Sequence, residues 1–301
     1  GMETCFANLV EPGDKVLVCI NGVFGGRMKE NVIRCGGEAV LVEDDWGTPV
    51  SADKVEAALK AHPDIKILAF VHAETSTGVC SDAAALATLA QAHDCLTIMD
   101  CVTSLAGVPV LIDEWGIDAA YSGSQKCLSC PPGLSPVTFS PRAIETIRKR
   151  NTPIQSWFLD LSLVMDYWSG DGARSYHHTA PINAMYALHE SLLLVRDEGL
   201  ENVWARHQTH HEALKAGLEK LGLTLLVEEP HRLPQMNSVL IPEALKAREG
   251  DIRKTLLNEY NLEIGAGLGA LAGKIWRIGL MGFGASEDNV RTCLSALEEV
   301  L

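Results

Sequence analysis

Short apolar runs alternate with amphipathic stretches over the first two thirds of the chain, and this rhythm predicts alternating strands and helices. A turn at 11–14, Glu-Pro-Gly-Asp, precedes the first strand. The predicted strands are Lys15–Ile20, Ala39–Glu43, Ile65–His72, Leu96–Asp100, Ala119–Ser122 and Ser135–Ser140. The predicted helices are Gly25–Cys35, Ala52–Ala61, Asp82–His93 and Pro141–Arg150, with N-caps at Ser51 and Ser81. This alternation is typical of an α/β domain with a largely parallel sheet.

The pattern changes after about Thr152, where longer helices and fewer strands predict an α+β C-terminal domain. Its predicted elements are helices Pro181–Glu198, Glu201–Leu221, Asp251–Tyr260 and Ser286–Val300, with strands Ser238–Ile241 and Lys274–Ile278. We place the boundary near Gly199, which divides the chain into a large domain, 1–198, and a small domain, 199–301. Residues 2–9 resemble the middle of a helix, so we expect the large domain to be truncated at its N-terminus.

The charge balance narrows the range of partners. Lys and Arg number 25 and Asp and Glu 39, which gives a formal net charge of −14. This balance argues against binding to nucleic acid or to an anionic membrane surface. No apolar run reaches the roughly 18–20 residues of a membrane span, and no signal peptide opens the chain. Nine dispersed cysteines, an odd number, indicate reduced thiols and a cytoplasmic protein.

Two residues that follow predicted strands suggest a specific chemistry. Asp100 ends an apolar strand, and Lys126 follows the next strand in a loop of small residues. A buried acid and a desolvated lysine at neighbouring strand ends suit pyridoxal phosphate (PLP). The lysine would form a Schiff base and the acid would pair with the pyridinium nitrogen. Taken singly, Lys126 fits a surface lysine and Asp100 fits a carboxylate that caps a turn.

Three further segments carry candidate binding residues. Thr75 lies in a polar loop, 74–78, that follows a strand, although such a loop also suits the cap of the next helix. Phe24 lies between glycines that would let its ring cover a cofactor, but its spacing equally suits a core residue. Arg277 lies in an apolar strand and needs a partner, either a substrate carboxylate or a structural ion pair. The segment around Phe24 lacks the full G-x-G-x-x-G pattern, so a dinucleotide site is not predicted.

No metal site is predicted. His177 and His178 are adjacent, a spacing expected to point their rings apart, and no H-E-x-x-H motif is present. Cys127 and Cys130 form a lone C-x-x-C without a second pair. His210 and His211 are predicted to lie on a solvent-exposed face of a helix.

Taken in order, the motifs resemble those of the alanine–glyoxylate and serine–glyoxylate (serine–pyruvate) aminotransferases. These are class-V PLP enzymes of fold type I, the aspartate-aminotransferase fold, and the resemblance covers nearly the whole chain. The motifs are Glu-Pro-Gly-Asp at 11–14, Asn-Gly-Val-Phe-Gly at 21–25, Glu-Thr-Ser-Thr-Gly at 74–78, Tyr-Ser-Gly-Ser-Gln-Lys at 121–126, Tyr-His-His-Thr at 176–179, Gly-Ala-Gly-Leu-Gly at 265–269 and Arg-Ile-Gly-Leu-Met-Gly at 277–282.

The resemblance also implies a role for each matching residue. Lys126 would form the Schiff base and move the proton, and Asp100 would pair with the ring nitrogen. Val102 and Phe24 would cover the two ring faces. The remaining expected contacts are Thr75 near the ring, Gln125 to the phosphate, Tyr176 and Thr179 to the phosphate of the neighbouring subunit, and Arg277 to the substrate α-carboxylate. The active site would therefore require a homodimer. The family's phosphate-binding turn would lie upstream of Gly1.

The implied reaction moves an amino group from L-alanine or L-serine to glyoxylate or pyruvate. Transaminases for ureidoglycine, aminoethylphosphonate or pyridoxamine are alternatives within the fold, because substrate choice depends on few residues. A cysteine desulfurase-like lyase is disfavoured, because Gln125 replaces the histidine that usually precedes the lysine there and Cys293 lies in an apparent helix. A catalytically incomplete PLP-fold fragment is a further alternative.

Overall fold

The computed structural model describes residues 1–168 and 175–301, and a six-stranded sheet lies at the centre of its N-terminal part. The strands along the chain are β1 Lys15–Ile20, β2 Glu38–Glu43, β3 Ile65–Val71, β4 Ala73–Glu74, β5 Val79–Cys80, β6 Leu96–Asp100, β7 Ala119–Tyr121, β8 Val137–Phe139, β9 Met236–Leu240, β10 Gly265–Ala266 and β11 Ile275–Gly279. The central sheet has the order β2-β1-β3-β6-β7-β8, and only β8 runs antiparallel to its neighbour. The predicted α/β domain with a largely parallel sheet is confirmed.

The α-helices pack around this sheet and around a smaller one. They are α1 Met2–Leu9, α2 Val23–Arg34, α3 Ala52–Ala61, α4 Ala83–Ala92, α5 Ile112–Trp115, α6 Pro141–Arg148, α7 Leu161–Trp168, α8 Ile182–Glu198, α9 Leu200–Lys220, α10 Glu249–Tyr260 and α11 Glu287–Val300. Alternate residues of the central strands enter different cores. Ile67 and Ile98 pack with α1, α2 and α6, whereas Leu68 and Met99 pack with α3 and α4. Both faces of the sheet are therefore covered, as a parallel sheet requires.

The parallel register aligns the ends of three strands. Val71 of β3 pairs with Asp100 of β6, and Asp100 pairs with Tyr121 of β7. The carboxyl ends of neighbouring parallel strands therefore meet at one edge of the sheet, where ligands of open α/β sheets bind. The residues that follow these strands lie at the same edge.

A second apolar core forms within the last third of the chain. The antiparallel sheet β10-β11-β9 packs against α9, α10 and α11. Trp276 of β11 is fully buried there beside Leu214 of α9 and Leu297 of α11. Arg277, the next residue of β11, points by strand alternation to the opposite face.

Most of the predicted elements are confirmed, but local details differ. Ser51 accepts a hydrogen bond from Lys54 N, as expected of an N-cap. The prediction that Ser81 is the N-cap of α4 was wrong. The helix starts one residue later, and Asp82 is the cap that accepts a hydrogen bond from Ala85 N. Ser81 Oγ instead accepts a hydrogen bond from Val50 N. Helix α7 and the β4–β5 hairpin were not predicted at all.

The prediction that His210 and His211 lie on a solvent-exposed helix face was wrong for His211. The side chain is buried, and its Nδ1 lies 2.7 Å from Asn237 Oδ1 of β9. His207, one helical turn earlier, is buried as well. The α9 helix thus presents both imidazoles to the inside of the molecule. Burial lowers the pKa of both histidines, which favours their neutral forms.

None of the helices in the described ranges is both long enough and apolar enough to cross a membrane.

Gly25 and Gly26 of α2 provide a matched test of packing between this helix and β1. A Cβ on Gly25 would lie 2.5 Å from the Cys19 carbonyl oxygen, whereas one on Gly26 would have no neighbour within 4 Å. We expect Gly25→Ala to lower the free energy of unfolding by about 1–3 kcal/mol, because the backbone must shift. Gly26→Ala should raise it by about 0.5–1 kcal/mol through helix propensity. Denaturant unfolding measures both, and equal effects would contradict this packing.

Candidate active site

Asp100 is the last residue of β6 and is almost fully buried, at 3 % exposed. Both of its carboxylate oxygens accept hydrogen bonds. Val102 N donates to Oδ1 at 2.9 Å, and the Tyr121 hydroxyl donates to Oδ2 at 2.8 Å. Burial raises the pKa of Asp100 to about 6, and these two hydrogen bonds act in the opposite direction. The buried carboxylate is therefore held in one orientation.

Lys126 lies in the loop that follows β7 and is partly buried. Burial lowers its pKa, and the charge of Arg277 lowers it further. Asp100 acts in the opposite direction on the same amine. Such an environment raises the share of neutral, nucleophilic amine at neutral pH.

The backbone after Lys126 is tied to three other parts of the fold. Cys127 Sγ lies 3.4 Å from the Thr103 carbonyl oxygen, and Ser191 Oγ of α8 donates to the Leu128 carbonyl oxygen. Ser129 Oγ accepts a hydrogen bond from Phe283 N at 2.7 Å. The lysine loop thus has a fixed position relative to both β6 and the segment after β11.

Glu74 is the last residue of β4 and the first of the 74–78 motif, and its position in the sequence indicated no role for it. It is fully buried, and its Oε2 accepts a hydrogen bond from Phe24 N at 3.1 Å. Its Oε1 accepts from Ser76 N and Ser76 Oγ, and Ser76 Oγ accepts from Val23 N at 3.0 Å. Because Gly22 has no side chain to cap α2, Glu74 and Ser76 cap this helix from a different part of the chain.

The close approach of Glu74 explains the glycine at position 22. A Cβ on Gly22 would lie 2.4 Å from Glu74 Cδ and 2.6 Å from Ser76 Oγ. Burial raises the pKa of Glu74, while its hydrogen bonds with Ser76 and Phe24 counteract this. Position 22 must therefore remain without a side chain for the cap to form.

Arg277 of β11 faces the same region from the C-terminal part of the chain. Its Nε donates to the Ala266 carbonyl oxygen at 2.8 Å, which orients the guanidinium. Burial lowers the pKa of Arg277, and the charge of Glu74 opposes that effect. The guanidinium, Glu74 and Lys126 therefore belong to one electrostatic cluster.

Thr75 and Thr103 connect the loops after β4 and β6. Their Oγ1 atoms lie 2.5 Å apart, and both side chains are buried. The Thr103 carbonyl oxygen also accepts from Gln235 Nε2 at 2.9 Å, immediately before β9. Thr75 is consequently fixed beside the ends of β3 and β6.

The remaining predicted residues lie in more open positions. Val102 and Phe24 are partly buried at the margin of the core, and the Arg27 guanidinium carbon lies 4.8 Å from the centre of the Phe24 ring. Gln125 is exposed beside Gly123. Tyr176 and Thr179 are exposed before α8, with their side-chain oxygens 2.6 Å apart.

The expectation that His177 and His178 point apart was wrong. Their Nδ1 atoms are 2.8 Å apart, in a segment before α8 that has no regular secondary structure. His177 also stacks on Trp157, with ring centres 4.3 Å apart. Within residues 1–168 and 175–301, no group of three or more His, Cys, Asp or Glu residues could hold a metal ion.

The site fits the ring of pyridoxal phosphate. In the described residues no lysine or arginine nitrogen lies within 4 Å of the buried Asp100 carboxylate, which suits a protonated ring nitrogen as its partner. The Lys126 amine, whose pKa is lowered by burial, lies close enough to affect that carboxylate electrostatically. Val102 and Phe24 supply apolar surface nearby.

Comparisons with known proteins agree with this geometry. The profile of the aminotransferase class-V family matches residues 3–285. The chain is 39% identical over 302 residues to the alanine–glyoxylate aminotransferase of Oryctolagus cuniculus, covering 100% of this chain and 76% of that protein. It is 38% identical over 319 residues to the (S)-ureidoglycine–glyoxylate transaminase of Bacillus subtilis, with the same shares covered.

Solved structures give the same result. An alanine–glyoxylate aminotransferase from Nostoc sp. superposes with a TM-score of 0.95 at 46% identity, covering 99% of this chain and 78% of that one. The pyridoxamine–pyruvate aminotransferase of Mesorhizobium loti superposes with a TM-score of 0.92 at 28% identity, covering 100% and 76%. Fold and site thus define a PLP-dependent enzyme of fold type I. The chain belongs to the class-V aminotransferase family and is a transaminase, as its motifs predicted.

The Glu74 cap can be tested without the cofactor. Glu74→Gln keeps the shape of the side chain but turns an NH₂ group toward either Ser76 or Phe24 N, both of which donate. We expect the free energy of unfolding to fall by about 1–3 kcal/mol, because a buried donor loses its acceptor. The exposed Glu219→Gln on α9 is the control and should change it by less than about 0.5 kcal/mol. Equal stability of the two variants would refute the cap.

Proposed function

We propose that this transaminase moves an amino group from L-alanine or L-serine to glyoxylate or pyruvate. The observation that carries the proposal is the electrostatic coupling of the buried Asp100 with Lys126 and of Lys126 with Arg277, both of which are partly buried. The names of the similar proteins from Oryctolagus cuniculus and Nostoc sp. support alanine and glyoxylate as substrates. Both substrate classes are small acids with a carboxylate that an arginine would bind.

Pyridoxal phosphate, when bound, supplies the ring that withdraws electrons from the substrate. In our proposal Asp100 holds a proton on the ring nitrogen. The Lys126 amine would take the proton from the substrate Cα and deliver it to C4′ of the cofactor, and would move it in the reverse direction in the second half-reaction. Arg277 binds the α-carboxylate and so places Cα near that amine.

Other side chains would hold the cofactor in place. We propose that Val102 and Phe24 cover the two faces of the ring and that Thr75 donates a hydrogen bond beside it. Gln125 would contact the phosphate through its exposed amide. The Glu74 cap would support this arrangement indirectly, because it fixes the start of the helix that carries Phe24.

Ureidoglycine as the amino donor is the second candidate. The chain is nearly as similar to the ureidoglycine–glyoxylate transaminase of Bacillus subtilis, at 38% identity, as to the rabbit alanine–glyoxylate enzyme, at 39%. Both candidates share glyoxylate as the acceptor, so comparing L-alanine, L-serine and (S)-ureidoglycine as donors distinguishes them.

We also propose that the enzyme is a homodimer with shared active sites. Tyr176 and Thr179 lie on an exposed segment, where they would reach the cofactor phosphate of a second subunit. Large apolar side chains are exposed at 157–158 and along α8, which is typical of an interface between subunits. They include Trp157, Phe158, Ile182, Met185, Tyr186 and Leu194.

Domain organisation and compartment are part of the same proposal. Residues 1–198 would form the PLP-binding domain and residues 199–301 the small domain, because separate apolar cores lie in these two parts. All nine cysteines are free thiols, which suits a reducing compartment such as the cytoplasm.

The first experiment follows the visible absorbance of the purified protein with added PLP. We expect a band that bleaches with L-alanine or L-serine and returns with glyoxylate. Lys126→Ala should remove the lysine-dependent band and abolish turnover, because no other amine occupies its position. Lys60→Ala on the exposed side of α3 is the control and should behave like the parent protein. A band that persists in Lys126→Ala would refute the assignment of this lysine.

Shared active sites are tested by mixing two inactive variants. One carries Lys126→Ala, and the other carries Tyr176→Phe together with Thr179→Ala. If each site combines Lys126 of one subunit with Tyr176 and Thr179 of the other, mixed dimers contain one intact site. We therefore expect transaminase activity to appear only after the two variants are unfolded, mixed and refolded together. A mixture that remains inactive despite forming dimers would contradict shared sites.

A further inference from the structure

Tyr121 and Asp100 form a buried pair across two neighbouring strands. They are register partners in β7 and β6, each is 3 % exposed, and the tyrosine hydroxyl donates to Asp100 Oδ2 at 2.8 Å. The Tyr121 ring packs in the core formed with Cys5 and Phe6 of α1, which restrains its position. The hydroxyl therefore has little freedom to turn away from the carboxylate.

The hydrogen bond complements the one from Val102 N to Oδ1. A carboxylate bound at one oxygen only could rotate about its Cβ–Cγ bond, whereas bonds to both oxygens fix its plane. Each oxygen keeps a further lone pair for another donor. A hydrogen bond from a neutral hydroxyl to a carboxylate also stabilises the ionised form.

We propose that Tyr121 is a positioning residue for transamination, whose hydroxyl fixes the plane of the Asp100 carboxylate and keeps it ionised for the ring nitrogen of PLP. The inference rests on the proposed role of Asp100. Tyr121 is the first residue of the Tyr-Ser-Gly-Ser-Gln-Lys motif, and its proposed role differs from that of the lysine that ends the motif. Tyr121 itself acts through Asp100 and not on the substrate.

Several other titratable groups face Asp100, and their protonation states must stay the same in any test. Glu74 from β4 disfavours ionisation of Asp100, and Lys126 from the loop after β7 favours it. Cys5 and the amino group of Gly1 face it from the α1 side, and Cys101 is its neighbour in sequence. Burial raises the pKa of both thiols, that of Cys5 to about 12, so they remain neutral at neutral pH.

The test uses the holoenzyme loaded with PLP labelled with ¹⁵N in its ring. The ¹⁵N chemical shift reports how far the proton shared with Asp100 lies on the ring nitrogen. In Tyr121→Phe the carboxylate loses a donor, and its proton affinity rises by about 10- to 100-fold. We expect the resonance to move toward the unprotonated value and kcat to fall by about tenfold or more. The KM of the amino donor should change little, since Arg277 is untouched.

A matched control removes a hydroxyl from another tyrosine–carboxylate pair. The Tyr260 hydroxyl donates to Glu299 Oε2 at 2.8 Å in the C-terminal part of the chain. Tyr260→Phe should leave both the ¹⁵N resonance and kcat unchanged. If Tyr121→Phe does not fold, replacement of Tyr121 by 3-fluorotyrosine preserves the packing and makes the hydroxyl a stronger donor. The resonance should then move in the opposite direction, toward the protonated value.

Asp100→Asn separates the failure of this inference from that of the proposed site. If Asp100→Asn moves the resonance but Tyr121→Phe or the fluorinated residue does not, Tyr121 is only a core residue and the inference is overturned. If Asp100→Asn also leaves the resonance unchanged, Asp100 is not the partner of the ring nitrogen and both assignments fail. Opposite shifts for phenylalanine and fluorotyrosine would support the inference.

Discussion

The burial of the Asp100 carboxylate is the constraint around which the rest of the site is arranged. A carboxylate removed from water is costly unless charges or hydrogen bonds compensate it. In this chain the compensation comes from Val102 N, the Tyr121 hydroxyl and the positive charge of Lys126. In the proposed function a protonated ring nitrogen of PLP would supply further compensation. The buried carboxylate would then favour a cationic heterocycle over a neutral ligand.

A second buried carboxylate, Glu74, links three parts of the molecule that are distant in sequence. It caps the start of α2, it is hydrogen-bonded to Ser76 in the next turn, and its charge favours the protonated guanidinium of Arg277. Because the helix dipole and Arg277 are both positive toward it, this carboxylate is better stabilised than its burial alone suggests. Glu74 therefore fixes the start of the helix that carries Phe24 and also acts electrostatically on the Arg277 guanidinium.

Periodicity and motif order predicted the sheet, most of its helices and the positions of Asp100 and Lys126 at and after the ends of neighbouring strands. They did so because strand ends and small-residue loops are local features of the sequence. Contacts over long sequence separations were missed. The cap of α2 by Glu74 spans about fifty residues, and the burial of His211 depends on Asn237 of a strand that packs against the helix. The pairing of Tyr121 with Asp100 required the strand register, which no spacing in the sequence specifies.

The segment after β11 connects Arg277 with the lysine loop, the two groups that we propose act on one substrate. Five residues beyond Arg277, Gly282 N donates to the neutral imidazole of His207, and Phe283 N donates to Ser129 in the lysine loop. Arg277 and Lys126 are thus joined through a few residues and the hydrogen bond from Phe283 N to Ser129 Oγ, while the bond to His207 ties the same segment to α9. Their separation is set during folding, so a substrate need not supply the free energy to bring them together. A small acid, whose reacting Cα is bonded directly to its carboxylate, benefits most from such a fixed separation.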